Sequence, residues 1–304
     1  MGIGHRKIRL ISIGSKGQLG RSIEAVCRTH PSIEYLGLDR AQLDIREQGA
    51  LESYLRTRPS SLPSVVVNCA AYTSVDAAES HEGEAYAVNA YGAGYLAYSA
   101  LMSDLMMIQI STDYVFDGSA TSPIAEDAEP SPLSVYGETK YMGEYNVRHL
   151  LGLRGLVLRT SWLYSPYGVN FVHRMRELAQ GHKQLRIVRD QIGSPTYAPH
   201  LAEAIVRLAL VAVQEGCFRA QTLHYAGAGA CSWYDLARAT IELGGYDTEV
   251  VPITTAEYPT AARRPAYSVL SSERIGSLYG IEPQPWIEGL REYYRHIGRD
   301  QHTQ

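Results

Sequence analysis

The chain has 304 residues, 45% of them apolar and 20% charged, and a formal net charge of −4. That length allows about two domains at roughly 150 residues each, and the composition is that of a globular protein with a sizeable core. The small negative charge argues against a non-specific nucleic-acid or membrane-surface binder, but not against an anionic ligand held by a few local donors.

In chain order, residues 8–13 are a short apolar run rich in β-branched side chains, read as a strand ending at Gly14. Leu19, Ile23 and Val26 then recur at helical spacing. Residues 33–38 read as a second strand, and 65–70 as a strand covered on both faces. A helix is expected over 82–103. Another strand begins at 106–110 and ends in Ser111-Thr112-Asp113. Helical periodicity returns over 136–150, after a proline-rich stretch, and 156–160 is one more strand. Such alternation implies an α/β protein with a doubly wound parallel sheet. Beyond residue 160 eight prolines break the pattern, leaving clear helices over 201–213 and 233–243. The expected division is a first domain of residues 1–160 and a smaller α+β lobe of 161–304. The helix near 200–214 should pack back on the first domain, and the polar end 299–304 should fray.

Four cysteines, at 27, 69, 217 and 231, form no Cys-x-x-Cys pair, so no disulfide framework or zinc site is expected. Cys27 and Cys69 lie in apolar runs and read as buried thiols. The apolar stretch near the N-terminus is too short for a secretory signal, and no run has the length of a transmembrane helix. A cytoplasmic protein is therefore expected.

Gly14, Gly17 and Gly20 follow the first strand and open the first helix. A strand–glycine loop–helix unit of this kind permits close backbone approach to a pyrophosphate and aims helix amides at it, as in Rossmann-like dinucleotide folds. Asp39 stands at the end of the second strand, where an acid binds ribose hydroxyls in such folds. Arg40 beside it is suited to a 2′-phosphate. Tyr136 and Lys140 stand at i and i+4 and share a helical face. A nearby ammonium should lower the tyrosine pKa and suit it to act as a general acid toward a carbonyl. With 22 tyrosines in the chain that spacing is unspecific by itself. The strand-end Thr112 and the glycine loop strengthen it. Other chemistries lack their motifs: there is no Gly-x-Ser-x-Gly elbow, no phosphate loop ending in Lys-Ser or Lys-Thr, and no His-Glu-x-x-His.

Together the glycine loop and Tyr-x-x-x-Lys resemble the extended short-chain dehydrogenase/reductases. More narrowly, Gly17-Gln18-Leu19-Gly20, the segments 68–76 and 111–118, Arg159-Thr160-Ser161-Trp162, and the segments 190–196 and 258–265 resemble the dTDP-4-dehydrorhamnose reductase family. The likeness runs in order from about residue 8 to 290. It implies a catalytic set of Thr112, Tyr136 and Lys140. It implies cofactor contacts at Gly17, Gln18, Leu19, Asp39, Asp44, Ile45, Ala71, Tyr72 and Thr73, beside Gly14 and Arg40 of the reading above. Sugar contacts are implied at Val75, Thr112, Asp113, Tyr136 and Trp162. Ser15-Lys16 and Cys69 depart from the family pattern, which has Lys or Ala then Thr or Asn in the loop and alanine at the third position. Some relatives dimerise through magnesium, whose ligand positions are not matched here, so no metal is expected.

The implied reaction is NADPH- or NADH-dependent reduction of the C4 ketone of a dTDP-4-keto-6-deoxysugar, giving dTDP-L-rhamnose. Neither a nucleic acid nor a membrane is an expected partner, and a homodimer is open. Three alternatives stand beside it. A reductase making another 6-deoxysugar differs in a few side chains that spacing does not reveal. A non-catalytic dinucleotide-binding regulator is disfavoured by the intact Tyr136 and Lys140. A dehydratase needs an acid–base pair after the threonine, but Tyr114 follows Asp113.

Overall fold

A computed structural model describes residues 7–57 and 61–301, with side chains as far as 298. The chain opens with β1 (Ile8–Ile13), α1 (Gln18–Arg28), β2 (Ile33–Leu38), α2 (Gln48–Thr57) and β3 (Ser64–Asn68). Short helices α3 (Val75–Ala78) and α4 (Glu82–Tyr86) lead through a π-helical turn, Ala87–Gly92, into α5 (Ala93–Met102). Then come β4 (Met106–Thr112), α6 (Val135–Leu151) and β5 (Gly155–Thr160). The second half holds β6 (Leu163–Tyr164), α7 (Phe171–Ala179), β7 (Gln184–Val188), β8 (Ile192–Gly193), β9 (Thr196–Tyr197), α8 (Ala198–Glu215) and β10 (Thr222–His224). It ends with β11 (Cys231–Ser232), α9 (Trp233–Leu243), β12 (Glu249–Ile253), α10 (Glu273–Tyr279) and α11 (Trp286–Gln301).

Six strands form one sheet in the order β10-β5-β4-β3-β1-β2, and every pairing in it is parallel. This is the doubly wound arrangement expected from the strand–helix alternation. The continuous apolar runs are explained by burial on both faces, because successive side chains point to opposite sides. Leu10, Val65, Val67, Ile108, Leu156 and Leu158 join the core under α1 and α8. Ile11, Ile13, Val66, Met107 and Val157 join the core under α2, α5 and α6. Two elements of the second half, α8 and β10, thus complete the layers of this sheet, with α8 lying against α1.

Sequence periodicity missed several elements. Helix α2 buries only Leu51 and Leu55, too few apolar positions to show a period. The parallel pair β7–β12 joins segments more than sixty residues apart. The helix expected over 82–103 is three pieces, interrupted by its π turn. Cys27 is buried as expected, but Cys69 is only half-buried, because the end of β3 opens onto a cleft. The polar end 299–304, expected to fray, lies largely outside the described residues.

Candidate active site

Parallel strands bring their C-terminal ends to one edge of the sheet. Gly14, Asp39, Asn68, Thr112 and Thr160 meet there, and the strand order reverses between β1 and β3. A crevice at such a reversal is where open α/β sheets bind ligands. The cleft at this edge has a volume of about 580 Å³, and Gly17, Thr112, Tyr136, Lys140, Trp162 and Arg264 are among its walls.

The glycine loop is shaped by backbone contact. Gly14 has φ +80°, and a Cβ there would lie 2.7 Å from the Ala70 nitrogen. A Cβ on Gly20 would lie 2.6 Å from the Ser15 Cα. Helix α1 starts at this loop with no side-chain cap and no acidic residue in its first turn. Its first amides are therefore available to an anion, which the helix dipole favours. Leu19 sends its side chain into the core. The Gln18 side-chain oxygen Oε1 accepts from Ser165 Oγ and Asn170 Nδ2, both at 3.1 Å, and ties the loop to the second half.

At the end of β2, Asp39 Oδ1 accepts from the amides of Ala41 (2.9 Å) and Gln42 (3.1 Å). Its other oxygen is ion-paired with Lys16, which holds the carboxyl below its ordinary range. Arg40 Nε donates to Asp44 Oδ2 at 3.3 Å, while Arg46 binds Asp44 more closely and holds its carboxyl well below the usual range. Ile45 is buried. Asp39, Arg40, Asp44 and Ile45 sit beside β2, outside the lining of the main cleft.

After β3, Ala71, Thr73 and Val75 line the cleft. The Tyr72 backbone is clamped by Asn89 of the π turn: its N–H donates to Asn89 Oδ1 (2.9 Å) and its carbonyl accepts from Nδ2 (3.1 Å). Asn89 Nδ2 also donates to Thr139 Oγ1 on α6. π turns are frequent at functional sites, and this one joins the β3 loop to α6.

Helix α6 begins at Ser134, whose hydroxyl accepts from the Gly137 amide. A Cβ on Gly137 would lie 2.2 Å from the Tyr114 carbonyl oxygen. Glycine thus lets the first turn of α6 press against the turn after β4, beside Thr112. The rings of Tyr114 and Tyr136 meet edge to face at 5.6 Å. Burial pushes the Tyr136 phenol up, partly opposed by hydrogen bonding with Thr112. This reverses the direction expected from the Tyr–Lys spacing. Lys140 Nζ donates instead to the Ile110 carbonyl at 2.6 Å, and desolvation dominates the phenol. A raised pKa keeps the phenol protonated at neutral pH, the form a general acid requires. Burial also pulls Lys140 down to about 8, with the Glu144 charge acting the other way.

Thr112 Oγ1 accepts from the Tyr114 amide at 3.2 Å and meets Asp113 Oδ1 at 3.1 Å. Asp113 is buried, and its Oδ2 has no hydrogen-bond partner. Trp162 leaves β5 with φ +46°, a left-handed conformation that costs a bulky residue ~1–3 kcal/mol. Its ring stacks on Trp233 at 3.6 Å and 7°.

Sequence reading missed Trp233, Arg264, Asp76 and Asn89. Arg264 Nη2 donates to Asp76 Oδ2 at 2.6 Å, linking the second half to α3 at the cleft. The only signal for it was its place in the Arg-Arg-Pro string.

A family model described as "RmlD substrate binding domain" matches residues 8–298. The chain belongs to this family. A dTDP-4-dehydrorhamnose reductase from Aggregatibacter actinomycetemcomitans is 39% identical over 291 residues, covering 93% of this chain and 97% of the relative. A dTDP-4-keto-6-deoxy-D-glucose reductase from Streptomyces niveus is 35% identical, covering 96% and 99%. The crystal structure of dTDP-4-dehydrorhamnose reductase from Bacillus anthracis in complex with NADP has a TM-score of 0.88 and 34% identity. It covers 95% of this chain and 99% of that one. Membership of the RmlD family agrees with the resemblance carried by the motifs.

Proposed function

We propose that this chain reduces the C4 ketone of dTDP-4-dehydro-6-deoxy-L-mannose to dTDP-L-rhamnose with NADPH or NADH. The observation that carries the reading is the meeting of Thr112, Tyr136 and Lys140 in one cleft beside an uncapped glycine-loop helix, in a member of this family. The glycine cradle and the free amides of α1 fit a dinucleotide pyrophosphate, and in this reading Asp39 and Arg40, at the end of β2, meet its adenosine ribose. When bound, the reduced dinucleotide supplies the hydride. Tyr136 gives its phenolic proton to the developing alkoxide, Thr112 hydrogen-bonds the same oxygen, and Lys140 holds the nicotinamide ribose. Residues 1–160 serve mainly the dinucleotide and 161–304 mainly the sugar nucleotide, through Trp162 and Arg264, with Val75 from the first part, while the buried Asp113 acts through Thr112.

No helix among the described residues is long and apolar enough to cross a membrane. A cytoplasmic enzyme, as a monomer or a homodimer, is the proposed form. The test is product identification by NMR after incubation with the dTDP-4-ketosugar, a 3,5-epimerase and NADPH. Failure to oxidise the dinucleotide would sink the reading. A product epimeric at C4 would favour the second reading, a reductase for another dTDP-6-deoxysugar, which the Streptomyces niveus relative supports.

A further inference from the structure

We infer that Asp113 sets the direction of the single Thr112 hydroxyl proton, and that only protonated Asp113 releases it toward the substrate carbonyl. The inference rests on the placement of Thr112 and Tyr136 at the reacting oxygen. Asp113 acts through Thr112 and is a positioning residue.

A threonine hydroxyl carries one proton and two acceptor sites. The Tyr114 amide fills one acceptor site, and Asp113 Oδ1 stands within hydrogen-bond distance at 3.1 Å. An ionised carboxylate can only accept. Facing one, Thr112 must donate to Asp113, and it presents a lone pair toward Tyr136 and the cleft. A lone pair repels the negative charge that develops on a carbonyl oxygen during reduction. A protonated Asp113 reverses the bond: its O–H donates to Thr112 Oγ1 and fills the second acceptor site. The threonine proton then turns toward the Tyr136 phenol oxygen and the cleft, where the substrate oxygen would take it. No heavy atom has to move between the two states.

The surroundings favour the neutral acid. Asp113 is 2% exposed, and Oδ2 lacks a partner. The titratable groups facing it are two phenols, Tyr114 on its own turn and Tyr136 on α6, while the Ser268 and Thr112 hydroxyls act against burial and favour the charged form. Burial raises both phenols, so they stay neutral. Arg264 acts on Tyr114 and is paired with Asp76. No cation is among the groups acting on Asp113, and burial pushes its carboxyl up to about 6. Substrate binding would exclude more water and push it further in the same direction.

The experiment is the ratio of kcat/KM at about pH 6 to that at about pH 8, which does not depend on absolute rate. A well-placed donor to a developing oxyanion is worth ~10²–10³ in rate, so the wild-type ratio should be roughly tenfold or more. In Asp113→Asn the side-chain amide donates to Thr112 at every pH, and the ratio should fall to about one. Thr112→Ser should keep the ratio, and Thr112→Val should be slow with a ratio near one. Infrared difference spectra of the dinucleotide-free protein over the same pH range should show a protonated-carboxyl band that Asp113→Asn lacks. A ratio unchanged in Asp113→Asn, or no such band, would overturn the inference. Wild-type rates in Thr112→Val would overturn the placement of Thr112 itself, which is a separable failure.

Discussion

Lys16 of the glycine loop is ion-paired with Asp39 at the end of β2, although the lysine side chain is 79% exposed. The two residues come from different strand ends, and their pairing changes the expected cofactor chemistry. Asp39 alone would accept from a ribose 2′-hydroxyl and repel a 2′-phosphate. With Lys16 against it and Arg40 beside it, that repulsion is offset. Neither NADH nor NADPH should be preferred by more than about tenfold, or ~1.4 kcal/mol. Because exposed pairs are worth ~0–1 kcal/mol, Lys16→Ala should shift the preference toward NADH by about fivefold at most. Asp39→Asn should shift it toward NADPH. The readout is kcat/KM with each dinucleotide, and a wild-type preference of about a hundredfold would show that one of these side chains does not meet the ribose.

Replacing Tyr136 by phenylalanine should lower kcat by at least ~10²-fold, the lower end of general-acid catalysis, with dinucleotide affinity unchanged. Near-normal turnover at saturating substrate would remove Tyr136 from the proposed role.

Lys140 yields a pH prediction. Burial brings its pKa down to about 8, so its charge is present below that pH and lost as pH rises through it. Dinucleotide Kd should therefore rise on the alkaline side of about pH 8 in the wild type. It should stay flat in Lys140→Arg, whose guanidinium keeps its proton. Fluorescence titration of bound dinucleotide across that range checks the difference; parallel curves for the two proteins would contradict a ribose-holding charge.

The Trp162–Trp233 stack leans on Gly193, where a Cβ would lie 2.5 Å from the Trp162 ring. Gly193→Ala must displace the indole at the cleft. Its sugar-nucleotide KM should rise several-fold, with overpacking costing ~1–3 kcal/mol. Trp162→Ala should raise KM while leaving Tm within a few degrees, since the ring is half-buried. A fully buried tryptophan would cost ~3–5 kcal/mol instead. Loss of stability with KM unchanged in the surviving protein would assign the stack to the core.

Stability should also depend on His224. It is buried beside Arg159, whose Nη1 lies 3.3 Å from its Nε2, and Arg159 is bound by Glu144. Burial first, then the Arg159 charge, pull the imidazole down to about 3. The unfolded chain takes up the proton below ~6.5 and the native state does not, so this group removes stability as pH falls from ~6.5 toward 3. The slope is up to ~1.4 kcal/mol per pH unit. Asp113, raised in the fold, works in the opposite sense, so the test is the difference between wild type and His224→Asn in urea titrations at about pH 7 and pH 5. Equal losses in both proteins would mean that His224 is not the titrating group.

The sequence alone determined what depends on local period. The apolar runs that became β1, β3, β4 and β5 were legible because each alternates between two buried faces. The shared face of Tyr136 and Lys140 was legible because four residues make about one helical turn. The family strings carried Thr112 and Trp162. What the sequence did not contain was burial and long-range approach. The sign of the Tyr136 shift followed from desolvation in the cleft, which no spacing reports. Lys16 met Asp39 because β1 and β2 end at one edge, and Arg264 met Asp76 across 188 residues. Trp233 reached Trp162 because β8 pairs with β11 just before α9. These contacts are set only when the whole chain packs, since a side chain's neighbours and its water are properties of the packed molecule and not of its segment.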